Sequence, residues 1–195
     1  MRILILTTPR SGSTLLTNVI AKMLKTINYQ EPFNFAYPNT ASQLYPEELP
    51  KDVVVKTMFD QFPIGVYSSN TEFYLNEIKK YDKVILLSRL DIKASYESFN
   101  YRLKNNPNGD WHTAYYYNEL KKNINLFSNF LNWTDDLIKF SMLIGIPVTW
   151  YEDVYINKDV EVVEAWDIGL NAKQFFTHIE TKSKYRLDSI NVSLI

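Results

Sequence analysis

A chain of 195 residues, 46% hydrophobic and 15% aromatic, is long and apolar enough to bury one sizeable core. It has no cysteine, which excludes a disulfide framework and a thiolate metal site, and His112 and His178 stand too far apart for a zinc-ligand spacing. A formal net charge of −1 gives no general basic field for nucleic acid, so any anion site must be local.

In chain order, the first predicted strand covers residues 2–7, with the uninterrupted apolar run Ile3-Leu4-Ile5. A Ser/Gly turn follows. A helix over 13–25 then carries Leu15, Leu16, Val19, Ile20, Met23 and Leu24 at helical spacing. Residues 28–50 hold Pro32, Pro38, Pro46 and Pro50 and read as a long irregular excursion. Val53-Val54-Val55-Lys56 is a second buried strand, with Lys56 at its end, and residues 71–80 are predicted helical. Residues 84–87 form a third buried strand, after which Asp91 caps a helix to about residue 102. A turn cluster at 105–110 precedes a long helical stretch over 113–143. Residues 144–151 make a further strand after Gly145, and 154–164 and 170–179 are read as short helices.

Apolar strands alternating with helices predict a single α/β domain over residues 1–195. Its parallel sheet has four or five strands flanked by helices on both faces. No apolar run is long enough to span a bilayer. The first strand starts at Arg2, which leaves no room for a signal peptide, so a cytoplasmic protein with no membrane partner is expected.

The chemistry concentrates at Leu6-Thr7-Thr8-Pro9-Arg10-Ser11-Gly12-Ser13-Thr14-Leu15. A strand running through a small-residue turn into a helix N-terminus presents backbone N–H groups to a phosphate. Against the nucleotide-binding pattern G-x-x-x-x-G-K-[ST], Gly12 and Thr14 fall in register. Thr7 stands at the first glycine and Ser13 at the lysine that would reach the β- and γ-phosphates. Arg10 supplies the positive charge instead, as a rigid fork of donors suited to phosphate or sulfate oxygens. Lys56 and Arg89 each follow a buried strand, and ligands of such sheets bind beyond the strands' carboxyl ends. The Arg10 loop, Lys56 and Arg89 should therefore converge on one edge. Ser95, one turn into the helix after Arg89, could share a phosphate with it.

Two of these segments together resemble the sulfotransferases that use 3′-phosphoadenosine 5′-phosphosulfate (PAPS). The first is Thr8-Pro9-Arg10-Ser11-Gly12-Ser13-Thr14; the second is Arg89, Asp91 and Ser95-Tyr96. Lys56-Thr57 matches the lysine after the family's second strand, and Trp150-Tyr151-Glu152-Asp153-Val154 looks like its Tyr-Glu-Asp-Leu segment. Gln30-Glu31-Pro32-Phe33-Asn34 is similar to the Gly-Glu-Pro-Phe-Asn segment of bacterial-type members.

The resemblance implies a P-loop NTPase-like sulfotransferase fold. It also implies transfer of a sulfuryl group from PAPS, without a metal, to a hydroxyl or amine of a small molecule or carbohydrate. Arg10, Ser11, Gly12, Ser13 and Thr14 would hold the 5′-phosphosulfate, and Arg89 with Ser95 the 3′-phosphate. Arg10 and Lys56 would neutralise the leaving phosphate. Met58 stands where cytosolic members place a histidine base, which leaves Glu31 as the candidate base. Leu15 replaces their adenine-stacking Trp, and their C-terminal Arg-Lys-Gly segment has at most a partial counterpart in Arg186. Two other readings stay open: a non-catalytic nucleotide-binding module of the same fold, and a nucleotide or nucleoside kinase with an altered phosphate loop.

Overall fold

A computed structural model describes residues 1–34, 44–63, 65–105 and 126–155; within the helices, the side chains of 102–105, 126, 154 and 155 are not described. Strand β1 (Arg2–Thr7) leads through a tight loop into helix α1 (Ser13–Leu24), and β2 (Ile27–Gln30) follows at once. Next come β3 (Val53–Met58), α2 (Asn70–Glu77), β4 (Lys83–Ser88) and α3 (Ile92–Asn105). Helix α4 (Leu126–Ile144), β5 (Val148–Trp150) and the short α5 (Tyr151–Tyr155) complete the described chain. The five strands lie in the order β2-β3-β1-β4-β5, and every pairing is parallel. The fold is therefore α/β, with the sheet between helices.

The alternation of a strand's side chains explains why the central runs are apolar throughout. Ile3 and Ile5 pack with Val54, Ile85 and Leu87 against Leu16 and Ile20 of α1. Leu4 and Leu6 pack on the opposite face with Val53, Val55, Leu86, Phe73, Tyr74 and Phe140. Ile3, Leu4, Ile5 and Leu6 are all fully buried, which contributes roughly 1.5–3 kcal/mol per side chain. On the second face, aromatic rings pack on one another, Phe33 edge-on to Phe73 at 5.2 Å, Phe59 tilted on Phe140 at 4.9 Å and stacked on Tyr74 at 5.5 Å.

Several elements differ from the sequence-based expectation, each for a physical reason. The excursion after α1 begins with an edge strand, β2, whose polar Asn28 and Gln30 hide it from an apolar-run reading. Strand β3 does not end at Lys56 but runs to Met58, with Thr57 and Met58 paired opposite Leu6 and Thr7. Helix α4 continues to Ile144, where Gly145 adopts φ 70 as helices commonly require at their end, so the last strand shrinks to three residues. Asp91 does cap α3, its Oδ1 accepting the Ala94 N–H at 2.8 Å. The first part of the 113–143 helix, most of 154–164, all of 170–179 and Arg186 lie outside the described residues. So do His112, His178 and the aromatics at 35–37 and 111–117.

Strand β1 feeds its helix toward β3 and β2, whereas β4 lies on its other side. The strand order reverses there, and the crevice opens beyond the carboxyl ends of β1 and β4.

Candidate anion-binding site

The β1–α1 loop is shaped by its own backbone. Arg10 has φ 60 and Gly12 has φ 78, both left-handed. Gly12 is the N-cap residue of α1 and brings no side chain to cap it. The first N–H groups of a helix have no partner within it, and its positive dipole end adds to their pull on an anion. Ser11 is fully buried; its Oγ donates to the Thr8 carbonyl at 2.9 Å and bonds the Thr7 hydroxyl. The Ser11 hydroxyl therefore holds the loop's shape, leaving its N–H as the group to offer a ligand. Ser13 is buried at the start of α1, and Thr14 is exposed one residue on.

Two contacts carry this loop across the crevice. Thr8 Oγ1 meets Ser88 Oγ at 2.9 Å, at the end of β4. Arg10 reaches α3, its Nε and Nη2 donating to Ser98 Oγ at 3.1 and 3.0 Å. Ser95 lies one helical turn before Ser98, on the same face of α3. Ser95 is only 2% exposed, and its Oγ has no hydrogen-bond partner among the described residues. A buried hydroxyl without a partner is costly unless a ligand or water satisfies it.

Arg89 takes a different direction from the one its spacing suggested. Its guanidinium lies 4.6 Å above the Tyr151 ring, with Nε 3.7 Å from Glu152 Oε1. Glu152 also accepts the N–H groups of Leu90 at 2.9 Å and Asp91 at 3.1 Å. The guanidinium bonded to the serine face of α3 is thus that of Arg10, and Arg89 stands at the rim beside α5.

Lys56 is 5% exposed, on the sheet face shared with Ile5 and Val54. Its ammonium is paired with Glu31. Glu31 has φ 57, and its N–H donates to the Lys56 carbonyl at 2.6 Å, so the chain folds back over the end of β3 at this point. Gln61 Nε2 donates to Glu31 Oε2 at 2.9 Å, while Gln61 Oε1 accepts from Met58 N–H and Thr57 Oγ1. The candidate base and the candidate cation therefore touch, and Gln61 locks them to the β3 turn.

Comparison with protein-family models, curated proteins and solved structures finds no match.

Of the sequence-predicted residues, the structure gathers Arg10, Ser11, Gly12, Ser13, Thr14, Lys56, Glu31, Arg89 and Ser95 at the carboxyl edge of the sheet. Ser98, Gln61 and Asp60 belong to the same edge and were not singled out from sequence; Glu152, part of the Tyr-Glu-Asp-Val segment, lies there too. Ser98 had a signal in its i, i+3 relation to Ser95; Gln61 had none. Among the described residues, no group of three His, Asp or Glu could hold a metal ion, and no helix is long and apolar enough to cross a membrane.

Proposed function

We propose that the chain is a PAPS-dependent sulfotransferase. The observation that carries the reading is the seating of Arg10 on Ser98 at the start of α1, beside the Ser95 hydroxyl, which has no partner among the described residues. That arrangement offers anion donors from both sides of one crevice and lacks the lysine of an ATP-binding loop. A donor carrying anionic groups at its 5′ and 3′ positions suits the two sides. Loop amides, Ser13, Thr14 and Arg10 would take the phosphosulfate; Ser95, Ser98 and Arg89 would take the 3′-phosphate.

Sulfuryl transfer, like phosphoryl transfer, asks the protein to align attacking and leaving oxygens and to neutralise charge on the leaving group. Arg10 and Lys56 are the cations for that task. Lys56 is held ready by Glu31 and released to the bridging oxygen when the donor enters. The acceptor, a hydroxyl or amine, loses its proton to a carboxylate at the same edge.

A second reading draws on the same ion pair: with Lys56 closed on Glu31, the chain is a nucleotide-binding module that does not turn over. Thermal unfolding separates the possibilities, because ligand at 100 times its Kd raises stability by about 2.7 kcal/mol. Selective protection by 3′-phosphoadenosine 5′-phosphate, and not by adenosine 5′-phosphate, is expected. Protection by ATP with Mg²⁺ alone refutes the donor assignment in favour of a kinase. Transfer of labelled sulfate from PAPS distinguishes the enzyme from the module.

A further inference from the structure

Glu31 is poorly placed to accept a proton, since Lys56 bonds Oε1 and Gln61 bonds Oε2. A second carboxylate stands next to it. Asp60 occupies the turn after β3, between Phe59, whose N–H donates to the Thr7 carbonyl at 3.1 Å, and Gln61, whose N–H donates to the Met58 carbonyl at 3.0 Å. The first bond fastens the turn to the start of the phosphate loop; the second closes it. Tyr74, fully buried on α2, braces the turn from below, its hydroxyl donating to the Met58 and Gln61 carbonyls. The Asp60 backbone is thus fixed, while the residue itself is exposed. Among the described residues no cation is paired with it.

We infer that Asp60 is the general base of the proposed transfer and that Glu31 is a positioning residue for Lys56. The inference rests on the sulfotransferase reading. In the step, an acceptor oxygen attacks the sulfur of PAPS and forms the new S–O bond. The bond from sulfur to the bridging phosphate oxygen breaks, and its electron pair stays on 3′-phosphoadenosine 5′-phosphate. The acceptor's proton passes to an Asp60 carboxylate oxygen.

The surroundings suit the role. Among the described residues, the titratable groups that interact with Asp60 are Glu31 beyond β2 and Tyr74 on α2, and Lys56 stands behind Glu31 as its partner. Protein crowding around the turn pushes the Asp60 carboxyl up to about 6, a local backbone hydrogen bond opposes this, and the Glu31 charge adds to it. Solvent at the open side of the residue tempers the push. A base with an affinity for protons closer to neutrality is a more effective acceptor than an ordinary carboxylate.

The test compares the full-length wild type with Asp60→Asn, Asp60→Glu and Glu31→Gln. Sulfate transfer from PAPS is followed to water and to three probe acceptors: 2-naphthol, a primary alcohol and an amino sugar. Asp60→Asn is expected to lower kcat on the order of 100-fold or more and to remove the acid limb of the pH–rate profile. Protection by 3′-phosphoadenosine 5′-phosphate stays as in the wild type, and Asp60→Glu recovers part of kcat. Wild-type kcat in Asp60→Asn overturns the assignment, and loss of the acid limb in Glu31→Gln instead transfers the role to Glu31. Loss of nucleotide protection in Asp60→Asn also overturns it, by making the residue part of binding. A wild type that binds the nucleotide but transfers sulfate to nothing refutes any base here. A wild type that does not bind the nucleotide refutes the donor reading itself.

Discussion

Arg10 bonds Ser98 Oγ through both Nε and Nη2, and so ties the first loop of the sheet to the helix that follows its fourth strand. One guanidinium therefore sets the width of the crevice and holds its charge there. Removing it with Arg10→Ala should abolish nucleotide protection and turnover together. Arg10→Lys should recover little, because an ammonium has no planar fork. Near-normal protection in either variant, measured by thermal unfolding, contradicts this account.

Ser98→Ala isolates the other half of the contact. It leaves the charge of Arg10 in place and removes the oxygen that orients it. The expected outcome is a several-fold weaker affinity for 3′-phosphoadenosine 5′-phosphate, equivalent to about 1 kcal/mol for one hydrogen bond. Titration calorimetry of wild type and variant measures it.

Gly12 stands at φ 78 as the N-cap residue of α1, a conformation that costs an L-residue roughly 1–2 kcal/mol. Gly12→Ala should lower stability by about that amount. Urea denaturation reads the loss directly. An unchanged midpoint means the loop relaxes to a different shape.

Lys56 and Glu31 form a pair with 6% and 16% side-chain exposure. Glu31→Gln leaves a buried ammonium without its countercharge and should cost about 3–5 kcal/mol. Lys56→Met together with Glu31→Gln should cost clearly less than the two single changes summed. A double-mutant cycle from urea denaturation gives the coupling, and strict additivity counts against a paired site.

Glu77 sets a pH dependence at the opposite end of the sheet. Its side chain is fully buried beside Lys80, and burial raises its carboxyl above the usual range, with Lys80 partly opposing. The folded state therefore holds the proton more tightly than the unfolded chain. Below the ordinary value of 4.5 the group contributes no difference; as pH rises through 4.5 toward the folded value, stability falls, and above that it levels. Stability measured from pH 4 to 8 should show Glu77→Gln gaining on the wild type across that window. A constant difference contradicts the direction.

The central fold was legible because β1, β3 and β4 each carry an apolar run of three or more residues, buried on both faces of the sheet. Strand β2 was not, since an edge strand with polar residues is made by pairing with β3 rather than by its own composition. Lys56 read as a strand end because a charge inside a buried strand needs a partner, and Glu31 lies 25 positions away in the chain. The tight turn from β1 into α1 was legible, since backbone conformation follows from local Ser and Gly residues. Which arginine meets which serine was not. Arg89, between β4 and α3, stacks on Tyr151 and pairs with Glu152, a choice set by packing between distant elements.

Glu152 fastens the N–H groups of Leu90 and Asp91 from the far side of β5. The order in which the chain is made gives this clasp a consequence. The first loop, its helix and its strand leave the ribosome early, yet the rim beyond β4 lacks its anchor until residue 152 has been added. A nascent chain stopped before β5 should keep the Arg10 loop but hold the Arg89 rim loosely. The rim beyond β4 is thus completed late in synthesis, when β5 joins the sheet.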